Sequence, residues 1–289
     1  MMLRVDANTR VVALYGDPVS HSLSPASQNA AFNELKLNVI YLSFNVTDGL
    51  LPAAIEAVRG LDFMGANVTH PHKGTVMKYL DRIDEGATQV GAVNTVVNRQ
   101  GMLIGYNTDG SGFLRSLRED YAFSPRGKRI VLLGTGGAGR AISWILSQEE
   151  PERLIVVNRT LSRAREWAEK LSIQALGWKD PQVAREIGQA HLVVNAASVP
   201  LEVDVDLISE GSLIYDIVYA QDRHAVAQKI RHRRARWADG RSLLLYQGAL
   251  AFELWTGLQA PVEVMRKALW GEGVHETGAK NTDQGDGRC

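Results

Sequence analysis

The sequence predicts an α/β chain of two domains, the second of them a doubly wound parallel sheet. Two observations carry this. Between residues 114 and 246, short β-branched-rich runs alternate with helix-patterned stretches, and the first run passes directly into Gly134-Thr135-Gly136-Gly137-Ala138-Gly139-Arg140-Ala141. Ahead of them, the front of the chain has its own alternation of strand and helix patterns, with amide, hydroxyl and amine side chains gathered at the strand ends. At 289 residues, 45% of them apolar, the chain is long enough to enclose a core in each domain.

In chain order, residues 11–15 read as the opening strand, broken by Gly16-Asp17-Pro18. In His21-Ser22-Leu23-Ser24-Pro25, Ser24 is expected to cap a helix with Pro25 at its first position, where a missing N–H costs no hydrogen bond. Ser22 has no capping duty in this reading and is freer to bind a ligand, although the Ser24 hydroxyl can do the same. Residues 39–44 read as strand, 50–60 as helix and 63–68 as a third strand.

That third strand runs into the densest polar cluster of the chain, Asn67-Val68-Thr69-His70-Pro71-His72-Lys73. Asn67 and Thr69 alternate onto one face of an extended segment, so both can reach one ligand. Pro71 ends the strand, and Lys73 is expected in the first turn of a short helix. Amide dipoles there disfavour a positive charge, which suits an amine to proton transfer. His70 and His72 can share a face, but no further Cys, Asp or His is spaced to complete a shell. No metal is predicted, and the two histidines are read as solvated or supporting. Gly91-Ala92-Val93-Asn94-Thr95 and Gly105-Tyr106-Asn107-Thr108-Asp109-Gly110 again set polar groups between apolar stretches. Asp109 reads either as the cap of a helix beginning near Ser111 or as a partner for Lys73, and a carboxylate at a helix start is favourable in both cases.

In the second half, residues 129–133 form the strand that enters the glycine turn. Gly134 suits the tight turn, Gly136 the close approach of a pyrophosphate, and Gly139 close helix–strand packing, while the amides of Thr135, Gly137 and Ala138 face the phosphates. The next strand, 154–157, ends in Asn158-Arg159-Thr160, where a site for NAD would carry an acid to hold the adenine ribose. No acid stands there. Asn158 can bind a ribose or its phosphate, and Arg159 and Arg163 supply guanidinium forks suited to a 2′-phosphate, so NADP is favoured. Further strands at 191–194 and 213–217 lead into Asn195-Ala196-Ala197-Ser198 and Val218-Tyr219. Strand ends of this kind line a ligand crevice, so Ala196, Ile217 and Tyr219 are candidate ligand contacts. Helices are expected over 161–171, 182–187 and 223–230.

Formal net charge is zero, so no global field attracts nucleic acid or an anionic membrane. The run Arg231-His232-Arg233-Arg234-Ala235-Arg236 is read as a solvated helix end, since no nucleic-acid module surrounds it. The first residues lack the apolar core of a signal peptide and no apolar run has membrane-spanning length, which predicts a cytoplasmic protein. The sole cysteine, Cys289, excludes an intrachain disulfide. Residues 271–289 are polar and glycine-rich and are read as a disordered tail. Monomer and homodimer are both compatible with the sequence.

Together these clusters closely resemble the shikimate dehydrogenase family, including its shikimate/quinate dehydrogenase relatives. The matching stretches are 16–25, Asn67-Val68-Thr69 with Lys73, 91–95, 107–110, the glycine loop, Asn158-Arg159-Thr160, 216–219, and Gln247-Gly248-Ala249 with Phe252-Glu253. The resemblance implies an N-terminal α/β substrate domain (1–113) and a Rossmann-type NADP-binding domain (114–246). Residues 247–270 would return as helices to complete the first domain. It implies that Ser22 and Ser24 bind a ring carboxylate, that Asn67, Thr69, Asn94 and Gln247 bind ring hydroxyls, and that Lys73 and Asp109 are the catalytic pair. Asn158, Arg159, Thr160 and Arg163 then form the NADP-selective cluster, and Gly240 lies near the nicotinamide. Ala197 and Ile217 depart from the family's usual threonine and methionine.

The implied reaction is reversible reduction of 3-dehydroshikimate to shikimate, with hydride from NADPH and a proton handled by Lys73 and Asp109. Two alternatives accompany it: a quinate/shikimate dehydrogenase using NAD or both cofactors, and a non-catalytic nicotinamide-binding sensor.

Overall fold

The computed structural model describes residues 5–197, 204–218 and 224–271. The predicted residues Tyr219, Ser198 and Cys289, and all but the first residue of the predicted tail, lie outside them. Two six-stranded sheets organise the chain. The first contains β1 (Arg10–Gly16), β2 (Val39–Asn45), β3 (Gly65–Val68), β4 (Arg82–Ile83), β5 (Thr95–Arg99) and β6 (Met102–Tyr106), in the order β2-β1-β3-β5-β6-β4. β1 pairs in parallel with β2 and β3, whereas β5 is antiparallel to both β3 and β6.

The second sheet contains β7 (Arg129–Leu133), β8 (Arg153–Asn158), β9 (Gln174–Gly177), β10 (Leu192–Asn195), β11 (Leu213–Asp216) and β12 (Arg236–Ala238), in the order β12-β11-β10-β7-β8-β9. All of its pairs are parallel. The strand order reverses between β7 and β10, and in an open parallel sheet that reversal opens a crevice at the carboxyl ends of the strands. The α/β class and the doubly wound second sheet are as the sequence predicts.

The strands of the second sheet bury both faces, as parallel strands do. Ile130 and Leu132 face Phe113 and Leu117 of α4 (Asp109–Glu119), Ile142 and Leu146 of α5 (Gly137–Gln148), and Ala164 and Ala168 of α6 (Leu161–Leu171). Val131 and Leu133 face Ile187 of α7 (Gln182–Gly188) and Ile230 of α8 (His224–His232). In the first sheet, Ala13 and Tyr15 pack on Leu51, Ile55 and Val58 of α2 (Leu51–Gly60). Val12 and Leu14 belong to the opposite core with Phe32 of α1 (Ser24–Glu34), Phe252 and Trp255 of α9 (Gly240–Thr256), and Met265 and Leu269 of α10 (Val262–Trp270). Each fully buried large apolar side chain here contributes about 1.5–3 kcal/mol. The returning helices therefore close the first sheet. The sequence boundary at 113/114 falls inside α4, which packs on both α5 and α9. Asp120, just past α4, accepts hydrogen bonds from Ser242 (2.7 Å), Tyr246 (2.7 Å) and Arg266 (2.8 Å), tying that junction to α9 and α10.

Several local expectations are corrected. α1 begins at Ser24 itself, with Leu23 as N-cap, so Ser24 is not the cap. Ser22 has the capping duty instead: its Oγ accepts from the Ser24 N–H at 3.2 Å. α4 begins at Asp109 with Thr108 as N-cap, so Asp109 is the first helical residue rather than a cap for Ser111. The basic run crosses from α8 into β12, where Arg233 pairs with Asp206, Arg234 with Glu210, and Arg236 donates to the Tyr121 carbonyl at 2.8 Å. Arg231 and His232 thus form the exposed end of α8 as expected, and only Arg236 enters the sheet edge. No helix among the described residues is long and apolar enough to cross a membrane.

Candidate active site

The substrate-side residues converge because three strand ends and two helix starts meet. β1 and β3 run in parallel and deliver Gly16 and the Asn67–Thr69 segment to the same edge. Antiparallel β5 and β6 bring Asn94 and Asn107 there from the other direction, with Asn94 N–H bonded to the Tyr106 carbonyl at 3.0 Å. The result is a cleft of about 340 Å³ lined by Ser22, Ser24, Asn67, Thr69, Lys73, Asn94, Asp109 and Gln247. His21, Leu243 and Leu244, which sequence reasoning did not single out, also line it.

At its centre, Lys73 Nζ stands 2.5 Å from Asp109 Oδ2, and the Asp109 side chain is 6% exposed. Lys73 is not in a helix: it occupies a turn that precedes a 3-10 segment, Thr75–Tyr79. Pro71 and the following turn delay the helix, so the expected helix-end amides are replaced by a carboxylate partner. Asp109 Oδ1 accepts from Asn94 Nδ2 at 2.8 Å, and the Asp109 N–H donates to Asn107 Oδ1 at 3.0 Å. The carboxylate also lies in the first turn of α4, where the helix dipole favours it.

Asn94 is more committed than its sequence position suggests. Its Nδ2 also donates to Thr108 Oγ1 (3.0 Å), and its Oδ1 accepts from Thr95 Oγ1 (2.9 Å) and the Thr108 N–H (2.9 Å). Asn67 donates to the Asn94 carbonyl (3.0 Å) and Thr95 Oγ1 (3.1 Å) and accepts from the Tyr41 hydroxyl (2.8 Å). An amide oxygen accepts two hydrogen bonds, so Asn67 keeps one acceptor position while Asn94 is spent on its neighbours. Thr95, Thr108 and Tyr41 are thus supporting groups that sequence reasoning missed. Adjacency to Asn94 and Asp109 was a signal for the threonines; Tyr41, inside an apolar strand, offered none.

The two histidines separate. His70 lines a neighbouring cavity, whereas His72 is fully buried, with Nε2 2.5 Å from the Val46 carbonyl and Nδ1 3.3 Å from the Asp48 carboxylate. His72 is a structural pin between segments, not a solvated residue. Among the described residues no cluster of His, Cys, Asp or Glu is arranged to hold a metal.

The neighbouring cavity, about 490 Å³, is lined by Thr135, Gly136, Gly137, Ala138, Arg163, Ala196 and Ile217. It shares Thr69, Lys73, Ala138 and Ile217 with the first cleft, so Lys73 stands on a common wall. Gly134 has φ +97°, a conformation side chains rarely adopt, and a Cβ on Gly139 would overlap the Gly134 carbonyl oxygen. At Gly136 a Cβ would meet nothing within 4 Å, leaving the backbone open to the cavity. The Thr135 hydroxyl is buried and has no hydrogen-bond partner. A glycine cradle with an unpaired hydroxyl and nearby guanidinium fits the pyrophosphate and phosphate groups of a dinucleotide. Gly240 starts α9 against the Ile217 carbonyl and lines the first cleft. Asn158 spends its amide on the Thr160 carbonyl (3.1 Å). Arg159 and Thr160 are exposed at the end of β8 and line neither cavity.

Comparison with known proteins matches this architecture. Residues 14–96 match the family model of the shikimate dehydrogenase substrate binding domain, 118–205 that of shikimate / quinate 5-dehydrogenase, and 240–269 that of the shikimate 5′-dehydrogenase C-terminal domain. The shikimate dehydrogenase (NADP(+)) of Methanopyrus kandleri is 45% identical, over 92% of this chain and 96% of its own. A Thermus thermophilus shikimate 5-dehydrogenase structure, in complex with NADP(H) and shikimate, superposes with a TM-score of 0.83 at 33% identity, covering 90% of this chain and 98% of that one. A quinate dehydrogenase from Corynebacterium glutamicum, in complex with NAD, gives 0.81 at 29% identity, covering 90% and 98%. With this identity over nearly the full length of both chains, the protein belongs to the shikimate dehydrogenase family of enzymes.

Proposed function

We propose that this enzyme catalyses the reversible reduction of 3-dehydroshikimate to shikimate with NADP(H). The observation that carries the reading is the Lys73–Asp109 pair, 2.5 Å apart on the wall common to the two cavities. When bound, the nicotinamide supplies or accepts the hydride. Thr135, Gly136 and Gly137 would hold its pyrophosphate, with Arg163, and Arg159 at the strand end, on the 2′-phosphate. Ala138, Ala196, Ile217 and Gly240 would border the ring end of the cofactor.

On the substrate side, Ser22 and Ser24 would take the carboxylate, and Thr69, Gln247 and the remaining acceptor position of Asn67 the ring hydroxyls. Tyr219 belongs to this set by its sequence position. The Lys73 ammonium donates a proton to the carbonyl oxygen as that oxygen gains charge, and in the oxidative direction the amine takes the hydroxyl proton. Asp109 fixes Nζ, and Asn94 fixes Asp109. A site built from hydroxyls and amides favours a polyol acid, because a substrate lacking a hydroxyl leaves a buried polar group unpaired.

The test is steady-state oxidation of shikimate and of quinate, each with NADP and NAD. The reading expects the highest kcat/KM for shikimate with NADP. Likeness to the NAD-bound quinate dehydrogenase and the exposed position of Arg159 support a second reading, quinate turnover with NAD, and a preference for that pair would replace the first. Cofactor binding without turnover in all four assays would leave a nicotinamide sensor.

A further inference from the structure

Arg140 follows the glycine loop directly and projects from α5. Its guanidinium lies over the ring of Trp167, 5.4 Å from the centroid, and its Nε is buried with no hydrogen-bond partner. Trp167 is itself 2% exposed and fixed: its Nε1 donates to Ser143 Oγ at 2.8 Å, and Ser143 donates to the Gly139 carbonyl at 2.7 Å. The platform under Arg140 is therefore bolted to the glycine loop. Trp167 also lies one turn after Arg163 on α6, so the two share a helix face. The stack thus draws the Arg140 guanidinium from α5 toward the face that carries Arg163.

Both arginines line the 490 Å³ cavity, and neither makes an ion pair among the described residues. Among the described residues no carboxylate lines that cavity, and a further cation on its wall, Lys73, is engaged by Asp109. Two uncompensated guanidinium forks facing one space suit a dianionic phosphate. The pyrophosphate already has the glycine-loop amides, which leaves the phosphomonoester of the adenine ribose for this pair.

We propose that Arg140, held on Trp167, is a second specificity-determining cation for the cofactor's 2′-phosphate and closes on it opposite Arg163. The proposal rests on the NADP reading above. It also accounts for the exposed position of Arg159, because selectivity then comes from Arg140 and Arg163 on two packed helices rather than from the strand end alone.

The experiment is calorimetric titration of the wild type, Arg140→Gln and Arg140→Lys with NADP and with NAD. Loss of one charge-assisted contact should weaken NADP binding about tenfold or more in Arg140→Gln, with NAD affinity within about twofold of wild type. Arg140→Lys should retain part of the preference, because it keeps the charge without the planar fork. Unchanged NADP affinity in Arg140→Gln overturns the proposal. Equal weakening of NADP and NAD also overturns it, by assigning Arg140 to the pyrophosphate or to loop structure. If instead the wild type binds both cofactors alike, the NADP reading itself falls and the proposal with it.

Discussion

The two cavities that share Lys73 are built on opposite plans. Around the first, polar side chains satisfy one another: Asn67, Asn94, Thr95, Thr108 and Asp109 form a closed hydrogen-bond network before any ligand arrives. Around the second, the Thr135 hydroxyl and Arg140 Nε are buried without partners. Proton transfer demands atoms held within tenths of an ångström, and mutual hydrogen bonds supply that rigidity. A phosphate site has to leave donors unspent, and each buried unpaired group costs about 1–3 kcal/mol of stability until the ligand comes. The substrate side should therefore owe its order to the protein, and the cofactor side to the cofactor.

The largest expected effect is at the common wall. Lys73→Ala should lower kcat for shikimate oxidation by about 10²–10⁴-fold. NADP affinity by titration should stay within about twofold, because Lys73 holds no phosphate in this account. Equal losses in both would make Lys73 a cofactor ligand and erase the distinction between the cavities.

Next is Asn94→Ala, which touches the proposed reacting groups only through Asp109. Freeing that carboxylate should cost on the order of 10² in kcat, as small misplacements of reacting groups do. Saturating NADP should not restore it. A rise in KM for shikimate with kcat intact would instead return Asn94 to the role of direct ligand for a ring hydroxyl. Smaller again is Gly139→Ala, whose methyl would overlap the Gly134 carbonyl oxygen. It should destabilise the fold by about 1–3 kcal/mol and weaken NADP and NAD together, which thermal unfolding and titration would register.

Much of this design was legible in the sequence, and the reasons are local. β7, β8, β10 and β11 are continuous apolar runs buried on both faces, and Gly134 and Gly139 stand where a side chain cannot. Asn67, Thr69, Lys73 and Asp109 stood out as chemistry-bearing residues between apolar stretches, and they line one cleft. The β5–β6 hairpin was not read, because its turn is Gln100-Gly101 rather than Asn-Gly. Both residues have positive φ, 54° and 86°, and Asn98 Oδ1 secures the turn by accepting from the Gly101 N–H at 2.8 Å. The short strands β4, β9 and β12 owe their existence to neighbours, not to their own pattern. Likewise, sequence cannot say whether an amide such as Asn94 is spent on the protein or saved for a ligand, or that His72 is buried between Val46 and Asp48.

The smallest of these effects bears most directly on the contrast between the cavities. Urea unfolding of the cofactor-free protein should be measured for Thr135→Val beside Asn94→Ala. Thr135→Val removes an unpaired buried hydroxyl and should leave stability unchanged or raise it by up to about 1 kcal/mol, while weakening both NADP and NAD. Asn94→Ala strands its partners and should lose about 1–3 kcal/mol without cofactor. A stability loss in Thr135→Val as large as that in Asn94→Ala, with cofactor affinity unaltered, would contradict the account.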